Sequence, residues 1–140
     1  MWQEEYVIET NIKKEKIWNL WEDVDNWNKW NADISYSNIN GKFENGTNGS
    51  YKTFDGLEPV FFFFELQKCV TNKSFICRIK LALCIMDFGY EIIEAEKTIK
   101  IKHYIKICGP LMFYYRKKFG NNSAKRLQLS VNNLIKLAEK

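Results

Sequence analysis

The chain has a single histidine, His103, and it lies in a segment where isoleucine and lysine alternate. From Thr98 to Ile107, the isoleucines share one parity with His103 and the lysines occupy the other. Successive side chains of a strand point to opposite faces, so the imidazole is predicted on an apolar, inward face. There it could anchor a carbonyl or hydroxyl group of a ligand, or act as a general acid or base. A structural histidine, hydrogen-bonded to a tyrosine or to the backbone, is the alternative.

Tyr90 is the second candidate for chemistry. In the segment Cys84 to Glu94 it shares the apolar parity with Met86 and Phe88. Its hydroxyl could therefore face the same interior as the imidazole of His103, or it could be satisfied within a packed core. No carboxylate partner for the histidine can be identified from spacing, which favours binding over catalysis.

Other chemistries are not recognisable in the sequence. It has no glycine-rich phosphate loop, no cluster of histidine and acidic residues with metal spacing, and no nucleophile motif. Four cysteines lack C-x-x-C spacing, and each lies in or beside an apolar stretch: Cys69, Cys77, Cys84 and Cys108. We therefore expect buried, reduced thiols rather than disulfides or a metal site, and we expect no cofactor.

Composition predicts one globular domain over residues 1–140. The formal net charge of +4 is too small to indicate a nucleic-acid partner. No apolar run approaches the ~20 residues that span a bilayer, and the first residues do not resemble a secretory signal. These features predict a cytoplasmic protein without integral membrane association.

Basic side chains are predicted at the surface. Arg78 has the outward parity of the segment Ser74 to Lys80, whose inward positions include Phe75, and it is expected to be a solvated charge. A second basic group falls on the polar face of the C-terminal segment: Arg116, Lys117, Lys118, Lys125 and Arg126. Weak attraction of that group to an anionic membrane surface is the alternative to simple exposure.

Hydrophobic periodicity predicts seven strands. The segments are Gln3 to Thr10, Ile34 to Ile39, Ser50 to Asp55, Val60 to Val70, Ser74 to Lys80, Cys84 to Glu94 and Thr98 to Ile107. Short turn segments such as Asp55 to Pro59 separate the later strands, so antiparallel hairpins are expected. Two short helices are predicted after the first strand, in Lys13 to Trp21 and within Glu22 to Asn31.

The C-terminal segment predicts one long amphipathic helix. Behind Gly109 and Pro110, apolar residues recur at steps of three and four: Leu111, Tyr115, Phe119, Leu127, Val131, Leu134 and Ala138. Gly120 with the two asparagines that follow it is the expected position of a kink. An antiparallel sheet with one long helix must bury a sheet face against that helix, which indicates an α+β domain.

The run VFFFFEL, Val60 to Leu66, places aromatic side chains on both faces of its strand. One parity runs on into polar residues and is assigned to the outer face: Phe61, Phe63, Glu65 and Gln67. The other is assigned to the interior: Phe62, Phe64 and Leu66. We expect a dimer partner or a neighbouring loop to cover the two outer phenylalanines, and bare rings there would indicate a wrong register.

Four segments in order resemble the START-like (SRPBCC) superfamily, in its polyketide cyclase/dehydrase branch. WNLWEDVDNWNKW (Trp18 to Trp30) resembles the "VW..L.D...W..W" segment of that family, and INGKFENGTNG (Ile39 to Gly49) resembles its "L.G.F..G..G" hairpin. TIKIKHYIKICGPL (Thr98 to Leu111) is similar to "T.V.H.V...GPL", and LIKLAE (Leu134 to Glu139) is similar to "LK.LAE". The resemblance covers nearly the whole chain.

The resemblance implies a helix-grip fold, in which a curved seven-stranded antiparallel sheet wraps the long C-terminal helix and leaves a deep cavity. Together with the parities above, it implies a ligand-binding set: Phe62, Phe64, Leu66, Phe75, Met86, Phe88, Tyr90, Ile101, His103, Ile105, Tyr115 and Phe119. The short helices would close one end of the sheet. Trp27 and Trp30 could form a gate over the cavity there, or pack as core.

Such proteins bind, carry or sometimes transform hydrophobic small molecules such as lipids, sterols or polyketides. We therefore predict binding or transport of a small hydrophobic ligand. One alternative is a polyketide cyclase or dehydratase that uses His103 and Tyr90 as acid/base groups. Another is a protein-interaction module related to chaperone activators, and a homodimer would fit the outer phenylalanines.

Overall fold

The computed structural model of the chain describes residues 1–55 and 58–140. Its seven strands are β1 (Trp2–Thr10), β2 (Ile34–Ile39), β3 (Asn48–Asp55), β4 (Glu58–Val70), β5 (Ser74–Leu81), β6 (Cys84–Glu94) and β7 (Ile99–Cys108). All seven predicted strands are confirmed, and no end differs from the prediction by more than two residues. The turn predicted between Asp55 and Pro59 falls on residues 56 and 57, outside the described residues.

The strands form one antiparallel sheet in the order β1-β7-β6-β5-β4-β3-β2. Consecutive strands from β2 to β7 pair as hairpins, and β1 joins the far side of β7. Between β1 and β2 the chain forms helix α1 (Lys14–Glu22) and a short 3₁₀ helix (Val24–Lys29), as the sequence predicts. Among the described residues, no helix is long and apolar enough to cross a membrane.

The C-terminal helix is interrupted rather than kinked. Helix α2 (Met112–Phe119) ends at Gly120, and helix α3 (Ser123–Ala138) begins after Asn122, whose φ of 59° is left-handed. A Cβ on Gly120 would lie 2.5 Å from the Arg116 carbonyl oxygen and 2.8 Å from the Trp2 ring. The Gly-Asn-Asn segment therefore breaks the helix at the place where the sequence predicts a kink.

One face of the sheet and the apolar side of α3 enclose the core. In β7 every second residue is buried, from Ile99 to Ile107, and His103 has the same parity. Val131 and Leu134 of α3 are also fully buried. All four cysteines are free thiols. Cys77 and Cys84 are buried as predicted, but Cys69 and Cys108 are only partly buried.

The alternation of β4 is confirmed, but the outer phenylalanines are bare. Phe62, Phe64 and Leu66 are buried, whereas Phe61 is 56% exposed and Phe63 is 74% exposed. No loop among the described residues covers them, and cover by a second copy of the chain stays a prediction. The register is consistent because Lys52 lies directly opposite Phe61, with its Nζ 5.6 Å from the ring centre.

Arg78 is not a simply solvated charge, which corrects the prediction from its parity. Its Nε and Nη2 donate to the two carboxylate oxygens of Asp87, both at 3.0 Å. Asp87 lies directly opposite on β6 and is buried. The outward parity was correct, but the cross-strand neighbour makes the position an ion pair on the outer face.

Candidate functional site

A cavity of about 390 Å³ lies between the sheet and the C-terminal helices. The sheet contributes most of the apolar wall: Tyr51, Phe62, Met86, Phe88, Tyr90, His103 and Ile105. The opposite wall comes from the end of α2 and the first half of α3: Phe119, Ser123, Arg126, Leu127 and Ser130. The break between these helices therefore borders the cavity.

Strand register explains how the sheet residues meet. Tyr90 pairs directly with His103, and Phe88 pairs with Ile105 on the same two strands. Tyr51 of β3 pairs with Phe62 of β4. Because paired residues project to the same face, each pair presents two neighbouring side chains to the interior.

His103 is the most buried polar group of the wall, with only 1% exposed. Its ring lies 4.7 Å from that of Tyr90, 5.7 Å from that of Trp30 and 5.8 Å from that of Trp21, measured between centroids. Burial lowers the pKa of His103 to about 3, so the imidazole is neutral near pH 7. Its Nε2 has no hydrogen-bond partner among the described residues. The hydrogen-bonded structural histidine considered from sequence is thus not found at this nitrogen.

Two phenol groups line the same cavity as the imidazole. Burial raises the pKa of Tyr51 and of Tyr90 well above the usual value of 10, so both hydroxyls stay protonated. Neither hydroxyl makes a hydrogen bond within the described part of the chain, and both residues line the cavity. The wall therefore offers three neutral polar groups in apolar surroundings.

The mouth of the cavity is polar. Arg126 donates through Nη2 to the Phe119 carbonyl, and its Nε lies 3.9 Å from a carboxylate oxygen of Asp33. Ser123 donates from its hydroxyl to the carboxylate of Glu4. Other polar residues also line the cavity: Asn31, Lys118, Asn121 and Asn122. Arg126 was predicted on the solvated helix face, but the structure places it at this mouth, against the segment that precedes β2.

The structure brings part of the predicted ligand-binding set together at the cavity. Those lining it are Phe62, Met86, Phe88, Tyr90, His103, Ile105 and Phe119. Others do not line it: Phe64, Leu66, Phe75, Ile101 and Tyr115. The first four of these are buried in packed core, and Tyr115 is partly buried in α2. Inward parity alone cannot distinguish side chains that line the cavity from side chains that are packed in the core.

The proposed gate residues lie in the core. Trp27 and Trp30 are each 1% exposed, and neither lines the cavity. Trp27 donates from Nε1 to the Trp21 carbonyl at 2.8 Å and stacks on Phe64 and Phe75. These contacts match the core-packing alternative, and a gating role stays a prediction.

Sequence reasoning missed several lining residues. Tyr51 had a usable signal, because β3 was predicted and its parity would have placed Tyr51 inward opposite the phenylalanine run. Leu127 was assigned to the apolar face of the last helix but not to the site. Asn31 and Asp33 lie in an irregular segment after the 3₁₀ helix, where no periodicity indicates a direction.

Comparison with known proteins defines the fold. No protein-family model matches the chain, and the comparison with curated proteins found no match. The Zhui aromatase/cyclase from Streptomyces sp. R1128 has a TM-score of 0.75 and 8% identity, over 99% of this chain and 93% of that one. A START superfamily protein from Mycobacterium smegmatis has a TM-score of 0.69 and 12% identity, over 96% of this chain and 98% of that one.

The di-domain ARO/CYC BexL, from the BE-7585A biosynthetic pathway, has a TM-score of 0.74 and 11% identity. The match covers 96% of this chain and 46% of BexL, so the chain spans about half of that protein. At these identities the likeness shows a shared fold. It confirms the helix-grip architecture that the four sequence motifs predict.

Proposed function

We propose that this START-like chain binds a small hydrophobic molecule, carrying at least one hydroxyl or carbonyl group, in the cavity between the sheet and α3. The cavity is the observation that carries the proposal. Its volume of about 390 Å³ lies within the range of about 300 to 1,000 Å³ of small-molecule sites. The surrounding core is otherwise filled by aromatic rings in contact, so the space is not a general feature of loose packing.

Energetics support a ligand. At about 24 cal/mol per Å³, an empty apolar cavity of this size would cost roughly 9 kcal/mol, comparable with the net stability of about 5 to 15 kcal/mol of a whole domain. Water that enters through the polar mouth reduces that cost. At the wall formed by Phe62 and Phe88, however, a water molecule finds no hydrogen-bond partner. An apolar molecule would remove the cost by filling the space.

The polar groups favour a particular kind of ligand. The Nε2 of His103 is buried without a hydrogen-bond partner among the described residues, and such a group costs about 1 to 3 kcal/mol. Tyr51 and Tyr90 line the same cavity and add two hydroxyls. A hydroxyl or carbonyl of the ligand would supply the missing partner. Lipids, sterols and polyketides combine such a group with a large apolar body.

A matched pair of substitutions in β4 tests the proposal. Phe62→Trp enlarges a side chain in the cavity wall, and Phe61→Trp makes the same change on the outer face. The purified protein is titrated with fatty acids, sterols, quinones and aromatic polyketides, with binding followed by native mass spectrometry. We expect Phe62→Trp to weaken binding and Phe61→Trp to leave it unchanged. If none of these compounds binds and protein taken from cells carries no adduct, the proposal is wrong.

A cyclase or dehydratase activity is the second candidate, because Tyr90 and His103 share one cavity wall. The pKa of about 3 for His103 opposes it, since so weak a base abstracts protons poorly near pH 7. Turnover of a poly-β-ketone substrate by the wild type, lost in both His103→Ala and Tyr90→Phe, would establish it. Unchanged turnover in either variant would remove that residue from the mechanism.

A further inference from the structure

Helix α2 has an exposed surface of mixed aromatic and basic character. None of its residues is fully buried, although Met112, Tyr115 and Phe119 pack against the core. On the opposite side, Phe113 is 72% exposed and Tyr114 is 56% exposed. Residues four positions apart share a helix face, so the exposed Lys117 and Lys118 follow these rings directly. We call these four exposed residues the α2 surface: Phe113, Tyr114, Lys117 and Lys118.

The lysines of this surface form no ion pair with an acidic side chain among the described residues. The sequence contains no acidic residue between Glu96 and Glu139. Lys118 Nζ lies 5.9 Å from the ring centre of Tyr114, so ammonium and aromatic groups are already adjacent. The nearest acidic side chain named in this region is Glu4, which lines one groove with Phe113 and Lys117. Its carboxylate already accepts a hydrogen bond from the Ser123 hydroxyl.

We propose that the α2 surface docks the protein on an anionic lipid bilayer. The rings of Phe113 and Tyr114 enter the interfacial layer, where aromatic side chains are favoured. The lysines extend to the level of the phosphates, because their aliphatic stems can lie along apolar surface while the ammonium groups remain hydrated. Anionic lipids attract such basic residues, and zwitterionic lipids do not.

A bilayer fits this surface better than an acidic protein partner. A helix of eight residues is only about 12 Å long, whereas a stable protein interface buries about 1,200 Å² or more. Lysine is also depleted from protein interfaces, while exposed lysines beside aromatic rings are typical of interfacial helices. Peripheral membrane binding requires only a few inserted side chains and a basic rim.

Docking would bring the cavity mouth to the lipid surface. Lys118 and Phe119 line the cavity and also belong to α2. The docking proposal does not depend on what the cavity binds, because association with lipid can be measured without any ligand. Ligand binding can conversely be measured without vesicles, so failure of either proposal is distinguishable from failure of the other.

Sedimentation with lipid vesicles tests the proposal. We expect the protein to bind vesicles of phosphatidylcholine and phosphatidylserine but not vesicles of phosphatidylcholine alone, and salt to weaken binding. Lys117→Gln with Lys118→Gln should weaken it about thirtyfold, since each basic residue near such a surface contributes a factor of about five. Phe113→Ser with Tyr114→Ser should weaken it roughly tenfold or more.

Matched controls make the same changes elsewhere. Lys97→Gln with Lys100→Gln removes the same charge from exposed positions, and Phe61→Ser with Phe63→Ser removes exposed rings from the outer sheet face. Both controls should bind vesicles as the wild type does, and all variants should keep its unfolding midpoint. The proposal is overturned if the wild type ignores anionic vesicles, or if the α2 variants bind as well as the controls. Binding of an acidic protein or of a second copy through these residues, with no vesicle binding, also overturns it.

Discussion

Tyr90 and His103 lie edge to face, with 4.7 Å between their ring centres, on two strands whose register places them directly opposite each other. Burial acts on both groups in favour of the neutral form, because it raises the pKa of the phenol and lowers that of the imidazole. The cavity wall therefore presents a phenol and an imidazole that can form hydrogen bonds but carry no formal charge near pH 7. The same burial makes the stability of the fold depend on pH.

Acid should destabilise the protein through His103. The unfolded imidazole binds a proton below about pH 6.5, whereas the folded one does so only near pH 3. Between these values the unfolded state holds the extra proton, so stability is complete above the unfolded pKa and falls as the pH drops toward 3. From pH 7 to pH 4, urea titrations should show a loss of roughly 3 kcal/mol from this residue alone.

Carboxylates titrate in the same range, so the comparison needs a variant without the imidazole. In His103→Gln the loss of unfolding free energy between pH 7 and pH 4 should be smaller than in the wild type by about that amount. Any loss of stability caused by the glutamine itself is the same at both pH values. The difference between variant and wild type in pH dependence therefore reports the titration of His103. An identical pH dependence in both proteins would show that His103 is not held neutral.

The parity of β7 and β4 could be predicted from sequence because one face of each strand is buried. A slip of one residue would expose Ile101 and bury the neighbouring lysines, so the pattern fixes the register. The position of the cavity could not be predicted in this way. Phe64 and Phe62 have the same parity, but Trp27 from the 3₁₀ helix stacks on Phe64 and not on Phe62. That contact depends on long-range packing, which periodicity does not encode.

The break between α2 and α3 shows a different limit. Tyr115, Phe119 and Leu127 continue one helical spacing across it, so the apolar pattern predicts a continuous helix. Only the left-handed backbone at Asn122 ends that continuity. Glycine and asparagine permit both a kink and a break. The Trp2 ring, from a residue distant in sequence, lies so close that a side chain at Gly120 has no room.

Gly89 should tolerate no side chain while Tyr104 covers it. The two residues are paired across β6 and β7, and a Cβ on Gly89 would lie 1.9 Å from the tyrosine ring. Gly89→Ala should therefore cost about 1 to 3 kcal/mol of unfolding free energy, as overpacking does. Since the three atoms nearest to that Cβ all belong to the Tyr104 side chain, Gly89→Ala should cost much less in a Tyr104→Ser background.

Gly49 provides the control for this cycle. Its Cβ would meet the backbone oxygen of Asn38 at 2.6 Å as well as the Phe64 ring. Gly49→Ala should thus cost the same with and without Tyr104→Ser. If removal of the tyrosine ring rescued both alanine variants, or neither, the assigned contact would be incorrect.

Arg78 and Asp87 should show the asymmetry of a buried ion pair. The Asp87 side chain is only 8% exposed, so Arg78→Leu leaves an unpaired carboxylate on the outer face. Breaking such a pair costs about 3 to 5 kcal/mol, and the lower end applies because Arg78 itself is 33% exposed. Replacing both residues by leucine should restore stability to within about 1 kcal/mol of the wild type. A single Arg78→Leu variant as stable as the wild type in urea would contradict this role.

Truncation of outward and inward phenylalanines of β4 should change the unfolding free energy by different amounts. Phe63 is bare, so Phe63→Ser should change the unfolding free energy by no more than about 0.5 kcal/mol. Phe64 is packed between Trp27 and Tyr51, so Phe64→Ala should cost about 3 to 5 kcal/mol. Phe62 already borders the cavity, so its truncation should enlarge the space and favour bulkier ligands.

The variants Phe63→Ser and Phe64→Ala also test whether the protein forms the predicted dimer, in which the outer sheet faces of two copies are in contact. If a second copy covers Phe61 and Phe63, the melting temperature of the wild type should rise with protein concentration, because association stabilises the folded state by mass action. Phe63→Ser should abolish that dependence and yield a monomer in sedimentation, and Phe64→Ala should not. A melting temperature independent of concentration in all three proteins would mean that the outer phenylalanines are exposed in solution, with the register of β4 unaffected.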